Sequence, residues 1–182
     1  KNQRLYTPVR AIPTQDEMLD ILKSPQENVK FPLRNLAILE LCYSVGLRRS
    51  EVVKIQFKHL EQAQLRLIGK RQKERLVPLS ESVKERINAY VQQERESLCR
   101  RKNIESEFIF LSQRGHALRT QDMTHIFNHQ LKLKYSSHAF RHACASHMLQ
   151  NGCSIRVIQK LLGHESLEST KLYTRVELGD LR

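Results

Sequence analysis

The chain reads as a mostly helical α+β protein with one small antiparallel sheet in a single domain. Three observations lead there. Apolar residues recur at helical spacing in most of its 182 residues, and 40% of all residues are hydrophobic, enough for one core. Helix-start residues and terminal glycines bracket these stretches. Only one pair of segments has the alternation of a hairpin.

Residues 1–13, "KNQRLYTPVRAIP", carry two prolines and three basic residues without periodicity, and read as an arm or linker. Thr14 opens a helix, with Glu17 three residues on completing a capping box. In "FPLRNLAILELCYSVG" Pro32 stands near a helix start and Gly46 at its end, and the stretch is apolar enough to be the central buried helix. "LRRSEVVKI" starts another helical turn at once. "QLRLIG" (64–69) and "ERLVPL" (74–79), separated by "KRQK", predict a β-hairpin with a basic tip. Ser80 caps a long helix with Val83, Ile87, Tyr90, Val91 and Leu98 on one face. "EFIFL" is expected as a short strand, and Thr120 as the cap of a helix with Met123, Ile126, Phe127 and Leu131 inward. The helix of "SSHAFRHACASHMLQNG" follows, then "SIRVIQKLLG", capped by Ser154, and a last segment "ESLESTKLYTRV".

Charge narrows the function. The 31 Lys and Arg outnumber 19 Asp and Glu, giving +12, which suits a polyanionic partner. Aromatics are 6% and Trp is absent, so duplex nucleic acid fits better than a stacking platform for single strands. No apolar run approaches a membrane span. The four scattered cysteines, with no C-x-x-C pair, read as reduced thiols of a cytosolic protein.

The stretch from residue 136 sets metal against phosphate. His138 and His142 have the i, i+4 spacing of a zinc pair, as do His125 and His129, but neither encloses the glutamate of H-E-x-x-H. An arginine within the pair, Arg141, would repel a dication, so no metal site is expected. His147 lies on the opposite side of the helix from His138, on a face with Phe140, Cys144 and Met148, and reads as a core histidine. Arginine with a titratable histidine suits a phosphodiester, whose oxygens a planar guanidinium can grip. Further cations and acids for such chemistry stand at Arg48 and Arg49, at Lys70 and Lys73 of the hairpin tip, and at His164 and Tyr173 with Lys171 and Arg175 beside the tyrosine. Of the five tyrosines, Tyr43 and Tyr90 fall on core faces, Tyr6 is in the arm and Tyr135 in a basic linker. Tyr173 alone stands in a polar, basic segment spaced from a histidine.

"GLRRSE", "GKRQKERLVPL", "HAFRHACASHML" and "LLGHESLESTKLYTRV" resemble, in order, the boxes of the tyrosine recombinases, the phage-integrase and Xer-type family. The resemblance spans roughly residues 14 to 178 and implies that family's catalytic-domain fold. It aligns Arg48 and Arg141 with the family's two catalytic arginines and Glu51 with its supporting acid. Lys70, in preference to Lys73, aligns with the hairpin lysine, His138 and His164 with the two histidine positions, and Tyr173 with the nucleophile. The reaction so implied is attack by Tyr173 on a DNA phosphodiester, giving a 3′-phosphotyrosine and a free 5′-hydroxyl. His138 would act as base, Arg48 and Arg141 would clamp the non-bridging oxygens, Lys70 would protonate the leaving oxygen, and His164 would hydrogen-bond the phosphate. Arg49, Lys73, Lys171 and Arg175 are candidate contacts to the DNA backbone.

The resemblance further implies no cofactor, no metal and no ATP. It points to double-stranded DNA as partner, a cytoplasmic setting in a bacterium or phage, and a mobile-element or chromosomal recombination role. Residues 14–182 are expected to be an isolated catalytic domain, without the N-terminal core-binding domain and most of the C-terminal tail. A synaptic tetramer is implied for a full-length member rather than for this stretch alone. The competing readings are a type IB topoisomerase-like resealing enzyme and a non-catalytic architectural or regulatory DNA binder on the same fold.

Overall fold

The computed structural model describes residues 11–23, 29–61, 64–68, 74–130 and 134–163. Its elements are α1 (Gln15–Lys23), α2 (Pro32–Ser44), α3 (Arg49–Val52), β1 (Leu60–Glu61), β2 (Gln64–Ile68), β3 (Glu74–Pro78), α4 (Glu81–Ala89), α5 (Glu96–Lys102), α6 (Thr120–His125), α7 (Ser137–Gln150) and α8 (Ile155–Leu162). Two π-helical stretches, Tyr90–Arg95 and Ile126–Gln130, extend α4 and α6.

Local chemistry starts the helices where expected. The Thr14 hydroxyl accepts from the Glu17 N–H while the Glu17 carboxylate accepts from the Thr14 N–H, at 3.1 and 2.9 Å. Ser80, Ser136 and Ser154 cap α4, α7 and α8 in the same manner through their hydroxyls. The α2 N-terminus is capped from afar: the Glu94 carboxylate accepts the Leu33 and Arg34 N–H groups at 2.9 and 3.0 Å. A carboxylate there also offsets the positive end of the helix dipole.

Helix α2 is the centre of the fold, packed between α4 and α7. Ala37, Ile38, Leu39, Leu41 and Cys42 are wholly buried along it. Its buried Glu40 is held by the Arg86 guanidinium at 3.3 Å and by the hydroxyls of Ser44 and Ser82. A satellite cluster of Cys144, Ala145, Ile158 and Leu162 joins α7 to α8.

The expected hairpin forms, with Leu65 opposite Val77 and Leu67 opposite Arg75, so that residues 65, 67, 75 and 77 share the inward face. Its tip lies outside the described residues. A two-residue strand, β1, adds to its other edge to make the antiparallel order β1-β2-β3, which the sequence did not signal.

Three expectations are corrected. "EFIFL" is no strand: its backbone forms only isolated bridges, Gln56 to Phe108 and Leu111 to Ala117. The reason is Arg95, whose guanidinium donates to the carbonyls of Ser106, Phe108 and Ile109 that a strand neighbour would need. Tyr90 similarly takes the Leu111 N–H at its hydroxyl, at 3.1 Å. Thr120 is the first residue of α6 rather than its cap; Arg119 is the cap residue, its N–H held by the Asp122 carboxylate at 2.8 Å. Tyr135 is not linker surface but buried, and its hydroxyl donates to Glu17 at 2.8 Å.

Candidate active site

Gly46 begins the site. It ends the α2 segment at φ 66°, a left-handed conformation that glycine adopts without strain. A Cβ there would lie 2.4 Å from Leu162 Cδ2 and 3.3 Å from Cys144 Sγ. The turn therefore sits pressed against α7 and α8, and only a residue without a side chain allows that approach. Two residues later Arg48 caps α3, and the Glu51 carboxylate folds back to accept the Arg48 N–H at 2.8 Å.

Glu51 gathers three arginines from three elements. Its Oε1 accepts from Arg48 Nη1 at 3.1 Å and from Arg75 Nη1 at 2.9 Å. Its Oε2 lies 4.0 Å from Arg141 Nη1. Arg141, on α7, is buried, and it donates through Nη1 to the Gly46 carbonyl and through Nη2 to the Leu162 carbonyl at 2.7 Å. One guanidinium thus ties the first arginine box to the end of α8. Burial by itself pushes the Glu51 carboxyl up, but the bonds from Arg75 and the Arg48 N–H, with the charges of both arginines, hold it below the usual carboxylate range.

Three guanidiniums against one carboxylate leave a surplus of two positive charges at a half-open surface. Unit charges about 4 Å apart interact by about 4 kcal/mol at an effective dielectric near 20. A buried arrangement of this sign is costly alone and favourable around an anion. Arg48, with 38% of its side chain accessible, is the member that faces solvent. His138 stands exposed on the first turn of α7, three residues before Arg141 and so about one turn from it.

Four thiols and phenols on the core helices are passive near neutral pH. Burial pushes the thiols of Cys42 and Cys144 up to about 12 each. It pushes the Tyr90 phenol up to about 12 and raises Tyr43 as well. His147 is the expected core histidine: it is buried, and its Nδ1 lies 2.9 Å from the Tyr43 hydroxyl. Among the described residues no three His, Cys, Asp or Glu side chains cluster as metal ligands would.

Of the residues singled out from sequence, Arg48, Glu51 and Arg141 come together here, and His138 is exposed on α7 three residues before Arg141. Arg49 points elsewhere, donating to the Thr124 hydroxyl at 2.7 Å. Lys70, Lys73, His164, Lys171, Tyr173 and Arg175 lie outside the described residues, although Gly163, directly before His164, is placed against Arg75. Arg75 is the member that sequence reasoning missed. A signal was there: in "ERLVPL" Arg75 is in phase with Val77 and Leu79, so the alternation sends a charge to the inward face. Two clefts of about 580 and 660 Å³ lie elsewhere, and neither is lined by any of the Glu51 group.

Comparisons with known proteins bear on the family and the fold. The chain matches the phage integrase family over residues 13–178. It is 36% identical over 174 residues to a tyrosine recombinase XerC of Anoxybacillus flavithermus, covering 92% of this chain and 58% of that protein. It is 38% identical over 170 residues to a tyrosine recombinase XerD of Vibrio cholerae serotype O1, covering 89% of this chain and 56% of that one. The chain thus spans somewhat over half the length of these relatives. Among solved structures, XerA recombinase superposes with a TM-score of 0.74 at 21% identity, covering 95% of this chain and 60% of that chain. XerH site-specific recombinase, in a pre-cleavage complex with its difH substrate, superposes with a TM-score of 0.73 at 21% identity, covering 93% and 52%. The structures speak for the fold, and the family match over nearly the whole sequence speaks for descent: the chain belongs to the phage integrase family of tyrosine recombinases.

Proposed function

We propose that this domain cuts and rejoins duplex DNA at specific sites through a covalent 3′-phosphotyrosine, without metal or ATP. The observation that carries the reading is the cationic surplus at Glu51, where Arg48 and Arg141 are brought from two distant boxes to one carboxylate. A scissile phosphodiester supplies the anion that this surplus favours. Its charge spreads over the non-bridging oxygens as the pentacoordinate transition state forms, and fixed guanidiniums aimed there stabilise it more than the ground state.

Tyr173 is the nucleophile. A phenol titrates near 10 in water, so near neutrality it needs a base, His138, and a cationic setting. Attack forms the Tyr Oη–P bond and breaks the P–O5′ bond, while Lys70 delivers a proton to the departing 5′-oxygen. His164 hydrogen-bonds the phosphate. Attack of a 5′-hydroxyl from another strand on the phosphotyrosine reverses the step, so the energy of the broken bond is kept and no ATP is consumed. The net charge of +12 serves sequence-independent phosphate contact, including Arg49, Lys73, Lys171 and Arg175. Residues 14–182 form the catalytic domain, residues 1–13 its linker. A full-length protein would exchange strands as a tetramer in a bacterial or phage-infected cytoplasm. No helix among the described residues is long and apolar enough to cross a membrane, which suits that setting.

The test is a pool of duplexes with randomised arms, each nicked next to the cleavage position so that religation is lost, incubated with protein in EDTA. A slower covalent band survives boiling in SDS with the wild-type chain and is absent with Tyr173→Phe. Binding of the pool without any such band would instead identify a non-catalytic DNA binder.

A further inference from the structure

Arg75 belongs to none of the residues that the family resemblance aligned with catalytic roles, yet it holds more of the site together than Arg48 does. Its Nη1 donates to Glu51 Oε1 at 2.9 Å, and its Nε donates to the Leu161 carbonyl at 3.2 Å. Its guanidinium also covers Gly163: a Cβ on that glycine would lie 3.0 Å from Arg75 Nη1 and 3.2 Å from its Cζ. Gly163 ends α8 at φ 64°, so glycine there answers both a left-handed backbone and the close approach of Arg75.

We propose that Arg75 is a positioning residue for strand cleavage: it fixes the Leu161–Gly163 turn, from which the chain continues into His164, in register with Glu51 and hence with Arg48 and Arg141. The proposal rests on the strand-cleaving reading above and deepens it. Arg75 sits on β3, opposite Leu67, on the hairpin whose tip carries Lys70. One side chain therefore joins the hairpin, the α3 carboxylate and the end of α8, contacts that lie 24 and 86 residues away in sequence. Arg141 makes the parallel tie, to the Leu162 carbonyl at 2.7 Å. The end of α8 is thus gripped at consecutive carbonyls by two guanidiniums that share one carboxylate.

The alternative is a residue serving stability alone. Two features speak for positioning. Arg75 Nη2 is buried with no hydrogen-bond partner among the described residues, an arrangement that a purely structural arginine ordinarily avoids. A planar guanidinium can also donate along two fixed directions at once, to Glu51 and to Leu161, which a single ammonium cannot reproduce.

Arg75→Met and Arg75→Lys are compared with wild type on a nicked duplex recovered from the pool, in single turnover across pH, beside Glu51→Gln and the Arg75→Met/Glu51→Gln double variant. Hydrogen exchange at the Leu162 and Gly163 amides is followed in the same proteins. Arg75→Met is expected to cleave on the order of 100-fold more slowly, the scale of a misplaced catalytic group, while binding DNA nearly as wild type. The acid limb of its pH profile moves up, because Glu51 loses its strongest donor. Arg75→Lys keeps the charge and the fold and restores part of the rate, on the order of tenfold. The double variant is no worse than the poorer single variant, as for two residues acting as one unit. Amides 162 and 163 exchange faster in Arg75→Met. Cleavage at the wild-type rate, independent multiplication of the two single effects, a loss matched by an equal loss of binding, or unchanged exchange at residues 162 and 163 would each overturn the proposal. Absence of any adduct with wild type overturns the strand-cleaving reading and this proposal together, whereas an active wild type with an equally active Arg75→Met overturns this proposal alone.

Discussion

Two groups of buried arginines divide this molecule. Arg34 and Arg95 are as deeply buried as Arg141, at 1% and 7% exposure against 4%. Arg34 donates to the Asn35 side chain and the Leu111 carbonyl and lies over the Phe31 ring, 4.9 Å from its centroid. Arg95 donates to three carbonyls of residues 106–109 and lies 4.7 Å over the Phe57 ring. Both donate to neutral acceptors, backbone carbonyls for Arg95 and one carbonyl with an amide side chain for Arg34, and tie irregular segments to the helices. Around Glu51 the guanidiniums instead converge on one another from three elements, with a single carboxylate between them. Burial of an arginine does not mark a site; convergence of cations beyond the available anions does.

The contrast breaks most sharply at Arg141. Arg141→Met is expected to lower the rate of covalent adduct formation on the order of 10³-fold, the scale for losing a transition-state donor, with DNA affinity within about tenfold. Equal losses of binding and cleavage in a filter-binding and adduct assay would reduce it to a backbone contact.

Arg34→Met should do the opposite. It strands the Leu111 carbonyl and the Asn35 amide oxygen, so urea unfolding should show a loss of about 3 kcal/mol. Cleavage per folded molecule should stay within about twofold, since Asn35 and Leu111, which Arg34 holds, are not the Gly46, Leu162 and Glu51 that Arg141 meets. A cleavage defect as deep as that of Arg141→Met would erase the distinction.

The smallest effect is a matter of pH. His147 is held below its ordinary range by burial, opposed in part by its hydrogen bond to the Pro13 carbonyl. The unfolded chain then binds its proton more readily, so this contribution is present above the free histidine value of 6.5 and lost as pH falls through the lower folded value. Glu51 is likewise depressed, and its contribution is present above 4.5 and lost at lower pH still. Stability measured against pH should therefore fall in two steps, the upper absent in His147→Gln and the lower in Glu51→Gln. A single step, or two unaffected by these substitutions, would detach the titrations from these residues.

Much of this was legible beforehand because its causes are local. The Thr14–Glu17 capping box, the serine caps of α4 and α8, the ends at Gly46 and Gly163, and the hairpin follow from residues one to four apart or from simple alternation. The failures share a cause of another kind. "EFIFL" has strand composition, and its carbonyls are claimed by Arg95, some 11 to 14 residues earlier. Tyr135 resembled linker until Glu17, 118 residues before it, took its hydroxyl.

The sequence by itself determined the helices and the local caps at Thr14, Ser80 and Ser154, the hairpin, the excess of positive charge and the residue types of the family's boxes. Only the tertiary structure decided which arginines act together. It set Arg141 on the Gly46 carbonyl 95 residues away, placed Arg75 between Glu51 and Leu161, and sent Arg34 and Arg95 to structural work. The physical reason is reach: propensity, capping and periodicity act within a turn or a strand. A guanidinium bonds whatever acceptors packing brings within about 3 Å of it, wherever they lie in the chain.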